Sequence, residues 1–301
     1  MSGTVLILGA NGNIGRHASN AFTAAGWQVK AYDRSKNNMT EAARDVDVIV
    51  NGLNPPAYKN WATEIPYITQ QVIAAARVSN ATVIVPGNVY NFANIDGTFD
   101  ENTPHNATTR KGRIRIAMEQ AYAAASNDGV QTIVLRAGSF IDPDGSNDVM
   151  ALIHMRDIKN RKLTQIGGAD TRHAYCFLPD WGRAAVAIAE KRNSLDQFED
   201  IPFPGHHFTI NELKTRLEET TGQFFTINNF PWTIMKLASP FWGLAYELLE
   251  MRELWQTSHK LSGDKFARLL PSFSPTDLET VMQCSLPPHL LATTAINNAT
   301  H

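Results

Sequence analysis

The segment Thr4-Val5-Leu6-Ile7-Leu8-Gly9-Ala10-Asn11-Gly12-Asn13-Ile14-Gly15-Arg16 runs from an apolar strand pattern, through three glycines, into a helical pattern. Thr4 to Leu8 suit a buried strand. Ile14, Ala18 and Phe22 then recur at i, i+4 and i+8, the apolar stripe of a helix that ends near Gly26. A tight turn between the two leaves the first N–H groups of the helix without internal partners, at the positive end of its dipole. Such a place suits a pyrophosphate. In this reading Gly9 makes the turn, Gly12 lets phosphate approach the backbone, and Gly15 lets helix and strand pack closely. The next strand, Gln28 to Tyr32, ends on Asp33-Arg34-Ser35-Lys36, where an adenosine ribose would lie. A carboxylate at Asp33 would accept from ribose hydroxyls and repel a 2′-phosphate, favouring NAD. Arg34, with Lys36, would pair with that phosphate and favour NADP. The two readings stay open, with a slight lean to NADP.

Outward from this turn, strand and helix patterns alternate. Val46 to Val50, Ala81 to Val85 and Gln131 to Leu135 read as strands, and Ile65 to Arg77 and Thr108 to Ala125 as helices. Such alternation predicts an α/β fold, a doubly wound parallel sheet of the Rossmann type with crossover helices on both faces. Only about a dozen residues separate Asp33 from the strand at Val46, too few for a full strand-helix unit, so the third strand is expected to be missing or shortened. After Phe140 the rhythm breaks. Pro179-Asp180 opens a helix through Glu190 that returns to the sheet, while Asn211 to Thr221, Trp232 to Leu237 and Phe241 to Trp255 suggest a smaller, mainly helical C-terminal portion. The expected division gives residues 1–140, with 171–193, to the nucleotide-binding domain. Residues 141–170 and 194–301 go to the smaller, substrate-binding portion.

With 301 residues, 43% hydrophobic content and a net charge of −2, the chain can bury one large core or two modest ones, as an ordinary soluble globular protein does. Cys176 and Cys284 lie far apart and without metal-ligand spacing, so neither a disulfide framework nor a metal site is expected. A reducing, cytoplasmic setting fits, and the first strand begins too early for a signal peptide. Phe230 to Trp255 is the most membrane-like stretch, but Pro231, Lys236, Pro240 and Glu247 interrupt it. Its aromatics, Trp232, Phe241, Trp242, Tyr246 and Trp255, are expected in helix cores or a subunit contact, which leaves a homodimer open and predicts no membrane partner. The basic run Arg156, Lys159, Arg161 and Lys162 reads as a solvated helix end, and no nucleic-acid partner is expected.

Several further segments carry a resemblance. They are Asp47-Val48-Ile49-Val50-Asn51-Gly52, Val83-Ile84-Val85-Pro86-Gly87-Asn88-Val89-Tyr90, a helix ending in Ala117-Met118-Glu119-Gln120, Leu135-Arg136-Ala137-Gly138-Ser139-Phe140-Ile141-Asp142-Pro143, and His173 to Arg183. With the opening glycine turn, these make the chain resemble the NAD-dependent epimerase/dehydratase family, the extended and atypical branch of the short-chain dehydrogenases/reductases, over most of its length. The resemblance implies an NAD(P)-dependent oxidoreductase or epimerase/dehydratase. It would act on a small polar carbonyl or hydroxyl substrate, sugar-like in kind, by hydride transfer. It also implies cofactor contacts from Gly9, Asn11, Gly12, Asn13, Ile14 and Gly15, from Asp33 and Arg34, from Gly52, Leu53 and Asn54, and from Gly87 and Arg115.

That family's chemistry uses a tyrosine and a lysine four positions apart on one helix face, with a nearby Ser or Thr. At i, i+4 the cation can both assist the tyrosine and hold the nicotinamide ribose. Alignment on Glu119 puts Lys111 at the tyrosine position and Arg115 at the lysine position, and Pro86-Gly87-Asn88 replaces the serine segment. Arg115 can bind ribose or phosphate but cannot release a proton near neutrality. Lys111 can act as a base only if its surroundings make it give up a proton. Tyr90, at the end of its strand, and His173 are the other candidates for moving the proton. Tyr58, Asn88, Ser139, Phe140 and Tyr175 are candidates for the substrate pocket. A different class of function also follows from the altered pair: a non-catalytic NAD(P)-binding protein that senses redox state or regulates a partner.

Overall fold

The computed structural model describes residues 3–92, 94–144 and 147–291. Six parallel strands form the central sheet: β1 (Thr4–Leu8), β2 (Gln28–Ala31), β3 (Val48–Asn51), β4 (Thr82–Gly87), β5 (Thr132–Arg136) and β6 (Phe198–Pro202). Their order across the sheet is β2-β1-β3-β4-β5-β6. Alternate residues of each strand serve opposite faces, which is why the strands read as unbroken apolar runs. Val5 and Ile7 of β1, with Val48 and Val50 of β3, meet Ala18 and Phe22 of α1 (Asn13–Ala24). Leu6, Leu8 and Ile49 point the other way, towards Ile65, Val72 and Ala76 of α2 (Trp61–Ser79). Met118, Tyr122 and Ala125 of α3 (Arg110–Ser126) complete that second core. Trp181, Ala184, Ala185 and Ile188 of α4 (Leu178–Lys191) complete the first.

The expected gap after β2 is present. Only a four-residue helix, Met39–Ala42, closed by a reciprocal capping box between Asn38 and Glu41, lies between β2 and β3, and β2 is the sheet edge. One central strand went unread in the sequence. β6 carries Glu199 and Asp200 beside Phe198 and Ile201, so it has no simple apolar pattern, yet it pairs along β5. It therefore lies in the central sheet although its residues fall in the stretch assigned to the smaller portion.

Within residues 171–193 the strand and the helix part company. The strand His173–Phe177 joins Ser139–Ile141 and His206–Phe208 in a separate three-stranded sheet, and only α4 returns to the central one, against α1. The smaller portion is also less helical than expected: Lys162–Gln165 pairs with Thr226–Asn229, and His259–Leu261 pairs with Gly97–Phe99. The long helix expected over Phe241 to Trp255 is two short ones, Gly243–Glu250 and Arg252–Trp255. Phe241, Trp242 and Tyr246 are exposed, which corrects the expectation that they fill helix cores. Residues 292–301 of that portion lie outside the described residues. Among the described residues, no helix is long and apolar enough to cross a membrane.

Candidate active site

Because every strand of the central sheet is parallel, the ends of β1, β3, β4 and β5 open on one edge, the edge where ligands gather in such folds. Gly9 turns there at φ +74°, and its carbonyl accepts from the Gly12 N–H at 2.9 Å. Gly12 precedes α1, whose first turn holds no acidic residue. A Cβ on Gly15 would stand 2.8 Å from Ala10 Cα, so glycine is needed for the helix to approach the strand this closely. Asn11 is exposed beside the turn, Asn13 opens α1, and Ile14 packs onto the first core. Gly52 closes against Leu8 and Gly15, the Leu53 N–H donates to Asn51 Oδ1 at 3.2 Å, and Asn54 is exposed. At the end of β2 the Ser35 N–H and hydroxyl donate to Asp33 Oδ1 at 3.0 and 2.7 Å, which holds the carboxyl below its usual range. Lys36 lies 3.4 Å from the other oxygen, and Arg34 is exposed.

Beyond β4, Asn88 Oδ1 accepts from the Tyr90 N–H at 3.0 Å, a side-chain-closed turn, and the Asn88 carbonyl accepts from Arg136 at 2.7 Å. Gly87, where an added Cβ would lie 2.7 Å from Val134 Cγ1, lets this turn lie close over β5. The Tyr90 hydroxyl reaches the Tyr58 hydroxyl at 3.1 Å. Tyr58 arrives from the loop after β3, where Ala57 (φ 50°), Tyr58 (φ 59°) and Asn60 (φ 54°) are all left-handed although none is glycine. Left-handed backbone at such residues costs about 1–2 kcal/mol each and clusters at functional loops. The neighbouring Tyr90 phenol, followed by burial, holds the Tyr58 phenol well above its ordinary pKa, and burial raises Tyr90 as well. Both are neutral at physiological pH and can donate a proton.

Lys111 and Arg115 lie on one face of α3, as the i, i+4 spacing requires. The Lys111 side chain is wholly buried, and its Nζ lies 4.6 Å from the centre of the Tyr58 ring. Its ammonium donates to Glu250 Oε2 at 2.8 Å and to the Glu247 carbonyl at 3.0 Å, and forms an ion pair with the Glu247 carboxylate. Arg110 binds the same Glu247 at 2.7 Å. The helix Gly243–Glu250 is thus fastened to the start of α3 through two carboxylates one turn apart. Arg115 donates to the Pro86 carbonyl, and its Nε is buried without a partner. Between the loop after β3 and the helix Gly243–Glu250 lies a cleft of about 520 Å³, lined by Tyr58, Lys59, Thr63, Arg110, Leu244 and Glu247 among others; Asn88, Tyr90, Lys111, Arg115 and the glycine turn do not line it.

The remaining candidates lie elsewhere. His173 is buried and donates from Nε2 to the Trp255 carbonyl at 3.0 Å; burial, with His259 beside it, pushes its pKa down to about 3. Tyr175 stacks on Phe208 with ring centres 4.2 Å apart, and burial raises its phenol. Ser139 and Phe140 are half-buried on the strand paired with it, Phe140 edge-on to Trp181. None of these four lines the cleft. Glu247 and Glu250, which engage Lys111, escaped the sequence reading. Their one local signal is i, i+3 spacing on a helix. Two acid–histidine groups also emerge, His17 with Asp142 and Asp144, and His105 with Glu119 and Asp200. Arg16 pairs with both carboxylates of the first and Arg136 with both of the second, so each group's charge is already met by a guanidinium.

No protein-family model and no curated protein sequence matches the chain. Solved structures share its fold. MoeE5 in complex with UDP-glucose and NAD superposes with a TM-score of 0.74 at 15% identity, covering 98% of this chain and 100% of that one. UDP-glucuronic acid 4-epimerase from Bacillus cereus, in complex with UDP-glucuronic acid and NAD, gives 0.72 at 14% identity, covering 93% and 97%. UDP-glucose 4-epimerase from Brucella ovis, in complex with NAD, gives 0.71 at 16% identity, covering 96% and 99%. At such low identity these likenesses establish the fold.

Proposed function

We propose that the protein is an NAD(P)-dependent oxidoreductase or epimerase/dehydratase that acts on a small polar carbonyl or hydroxyl compound, sugar-like in kind. One observation carries this reading: the glycine turn opens at the same sheet edge as the paired phenols of Tyr58 and Tyr90. The turn fits a dinucleotide, because the first turn of α1 has free N–H groups and no acidic side chain, and Gly12 adds no bulk over them. A bound nicotinamide would supply the hydride chemistry. The chain's own residues would hold and protonate. Gly9, Gly12 and Gly15 would seat the pyrophosphate, Gly52 to Asn54 and Gly87 would border the ring, and Arg115 would face the ribose with its unpartnered Nε.

Tyr90, with Tyr58 behind it, would hand a proton to the substrate oxygen, since both phenols are held in the protonated state. Lys111 is wholly buried and paired with Glu247 and Glu250, and its part would be to hold Tyr58 in place. The nicotinamide neighbours bind NAD by their own descriptions, and nothing about them supports the lean to NADP. Two free thiols, Cys176 and Cys284, accord with a reducing compartment such as the cytoplasm. The decisive experiment is a screen of sugars, ketones and aldehydes for substrate-dependent change in nicotinamide absorbance. Turnover that Tyr90→Phe abolishes would sustain the reading, and a blank panel together with absent cofactor binding would sink it.

A second reading, a non-catalytic NAD(P)-dependent regulator, is favoured by the use of Lys111 as a structural anchor for Glu247 and Glu250. It requires partner affinity or self-association to differ between oxidised, reduced and absent cofactor. Equal behaviour in all three states removes it.

A further inference from the structure

The hairpin of Trp232–Ala238 and Gly243–Glu250, whose two helices pack together, is amphipathic in the wrong sense for water. Its second helix turns Glu247 and Glu250 inward onto Arg110 and Lys111, and leaves Leu244 and Tyr246 outward. A helix bordering water presents the opposite faces. Ile234, Leu237, Phe241, Trp242, Leu244 and Tyr246 are all exposed, Leu237 at 74% and Phe241 at 94%. Single exposed apolar residues are ordinary, but a run of them on one hairpin marks an interaction surface.

Charge selects the occupant. From Pro231 to Tyr246 the sequence holds Lys236 and no carboxylate. Lys236 on the hairpin and Lys59 on the cleft rim are exposed, and neither has an acidic partner among the described residues. Arg252 lies over the Trp232 ring at 5.4 Å. The acidic groups nearest in sequence, Glu247 and Glu250, are engaged by Arg110 and Lys111. Lysines without partners beside an apolar tip complement anionic lipid headgroups. Trp242 and Tyr246 suit the headgroup depth, where an amphipathic ring is favoured, and Phe241 protrudes far enough to enter the acyl boundary. A side chain so nearly free of neighbours fits a deformable bilayer better than a rigid protein surface.

We infer that residues 231–246 dock the protein on anionic bilayer surfaces, lying in the interface and not spanning it. Such docking runs against the expectation of no membrane partner. Gly243 and Leu244 also line the 520 Å³ cleft, so docking brings the mouth of that cleft to the lipid surface. The inference stands apart from the proposed chemistry, because it needs neither cofactor nor turnover.

Co-sedimentation of the full chain with phosphatidylcholine vesicles, with and without phosphatidylglycerol, tests it. Binding is expected to the anionic vesicles and to weaken with added salt. The double variant Leu237→Ser/Phe241→Ser should lower the apparent affinity at least about tenfold, and Lys236→Glu about tenfold. All three positions are exposed, so an unchanged thermal melt verifies that the variants fold. Failure to sediment with anionic vesicles overturns the inference, as does equal sedimentation with both kinds. A dimer by light scattering that the double variant converts to monomer, without vesicle binding, also overturns it and assigns the patch to a second copy.

Discussion

The Lys111 ammonium and the Glu250 carboxylate lie 2.8 Å apart, although 139 residues separate them in the chain. Removing the cation strands Glu250, whose remaining cationic partner Arg110 stands 3.5 Å away, and leaves Glu247 to Arg110 alone. Lys111→Met should therefore cost about 3–5 kcal/mol in urea unfolding. Adding Glu250→Gln to Lys111→Met should recover part of that loss, because one stranded charge goes with it. A loss below about 1 kcal/mol for Lys111→Met would show that the pair does not anchor the helix.

Gly15 is the point of closest approach between α1 and β1. Gly15→Val should displace the start of α1 and weaken NADH and NADPH alike by about a hundredfold, read from quenching of tryptophan fluorescence. Such overpacking costs about 1–3 kcal/mol, so a melt measured in parallel separates lost binding from lost fold. Unchanged cofactor affinity would detach this turn from the nucleotide.

If the Tyr58–Tyr90 pair delivers the proton, Tyr90→Phe should lower kcat by about 10²–10⁴ while cofactor affinity stays within about twofold. Tyr58→Phe should have a smaller effect, since Tyr90 retains its own hydroxyl. Both phenols are held above their ordinary pKa. Carbonyl reduction should therefore run flat through neutral pH and fall only in strong alkali. A fall between about pH 7 and pH 8, below the ordinary tyrosine range, would point to another group.

His154 and His173 are buried, and burial is the first cause of pKa values of about 4 and about 3 respectively. In the unfolded chain both should titrate near 6.5. As pH falls through 6.5 the unfolded state takes up protons that the folded state refuses, so stability is full above that value and is lost below it. The loss continues to about pH 4 for His154 and about pH 3 for His173, at up to about 1.4 kcal/mol per pH unit for each. Urea unfolding from about pH 7 to about pH 5 should show the decline, and His173→Phe should flatten it by nearly one proton.

Arg34 and Asp33 give the cofactor question a direct answer. Should Arg34 hold a 2′-phosphate, Arg34→Ala will weaken NADPH by about tenfold and leave NADH unchanged, because an exposed charge-assisted hydrogen bond is worth about 1.5 kcal/mol. The reverse preference in the unaltered protein, with NADH the tighter ligand, settles the matter for NAD.

The sequence by itself determined the first five strands of the sheet and its glycine turn, because those depend on residues adjacent in the chain. Apolar runs specify buried strands, and Gly9 and Gly15 meet constraints set within a dozen positions of each other. The absence of a third strand was legible too, from the length of chain between Asp33 and Val46. β6 was hidden, since Glu199 and Asp200 break its pattern and only pairing along β5 makes it a strand. Tertiary structure alone decided what the candidate side chains do. His173 and Tyr175 alternate along their strand as expected, yet what they face is Trp255, His259 and Phe208, which come from other parts of the chain. Lys111 was singled out through the family resemblance, by alignment on Glu119. Its engagement by Glu247 and Glu250, and the meeting of Tyr58 with Tyr90 above it, required distant segments to converge. Local pattern fixes backbone shape because its hydrogen bonds and burial are short in sequence, whereas the chemistry of a charged or phenolic group is set by whichever neighbours folding brings to it.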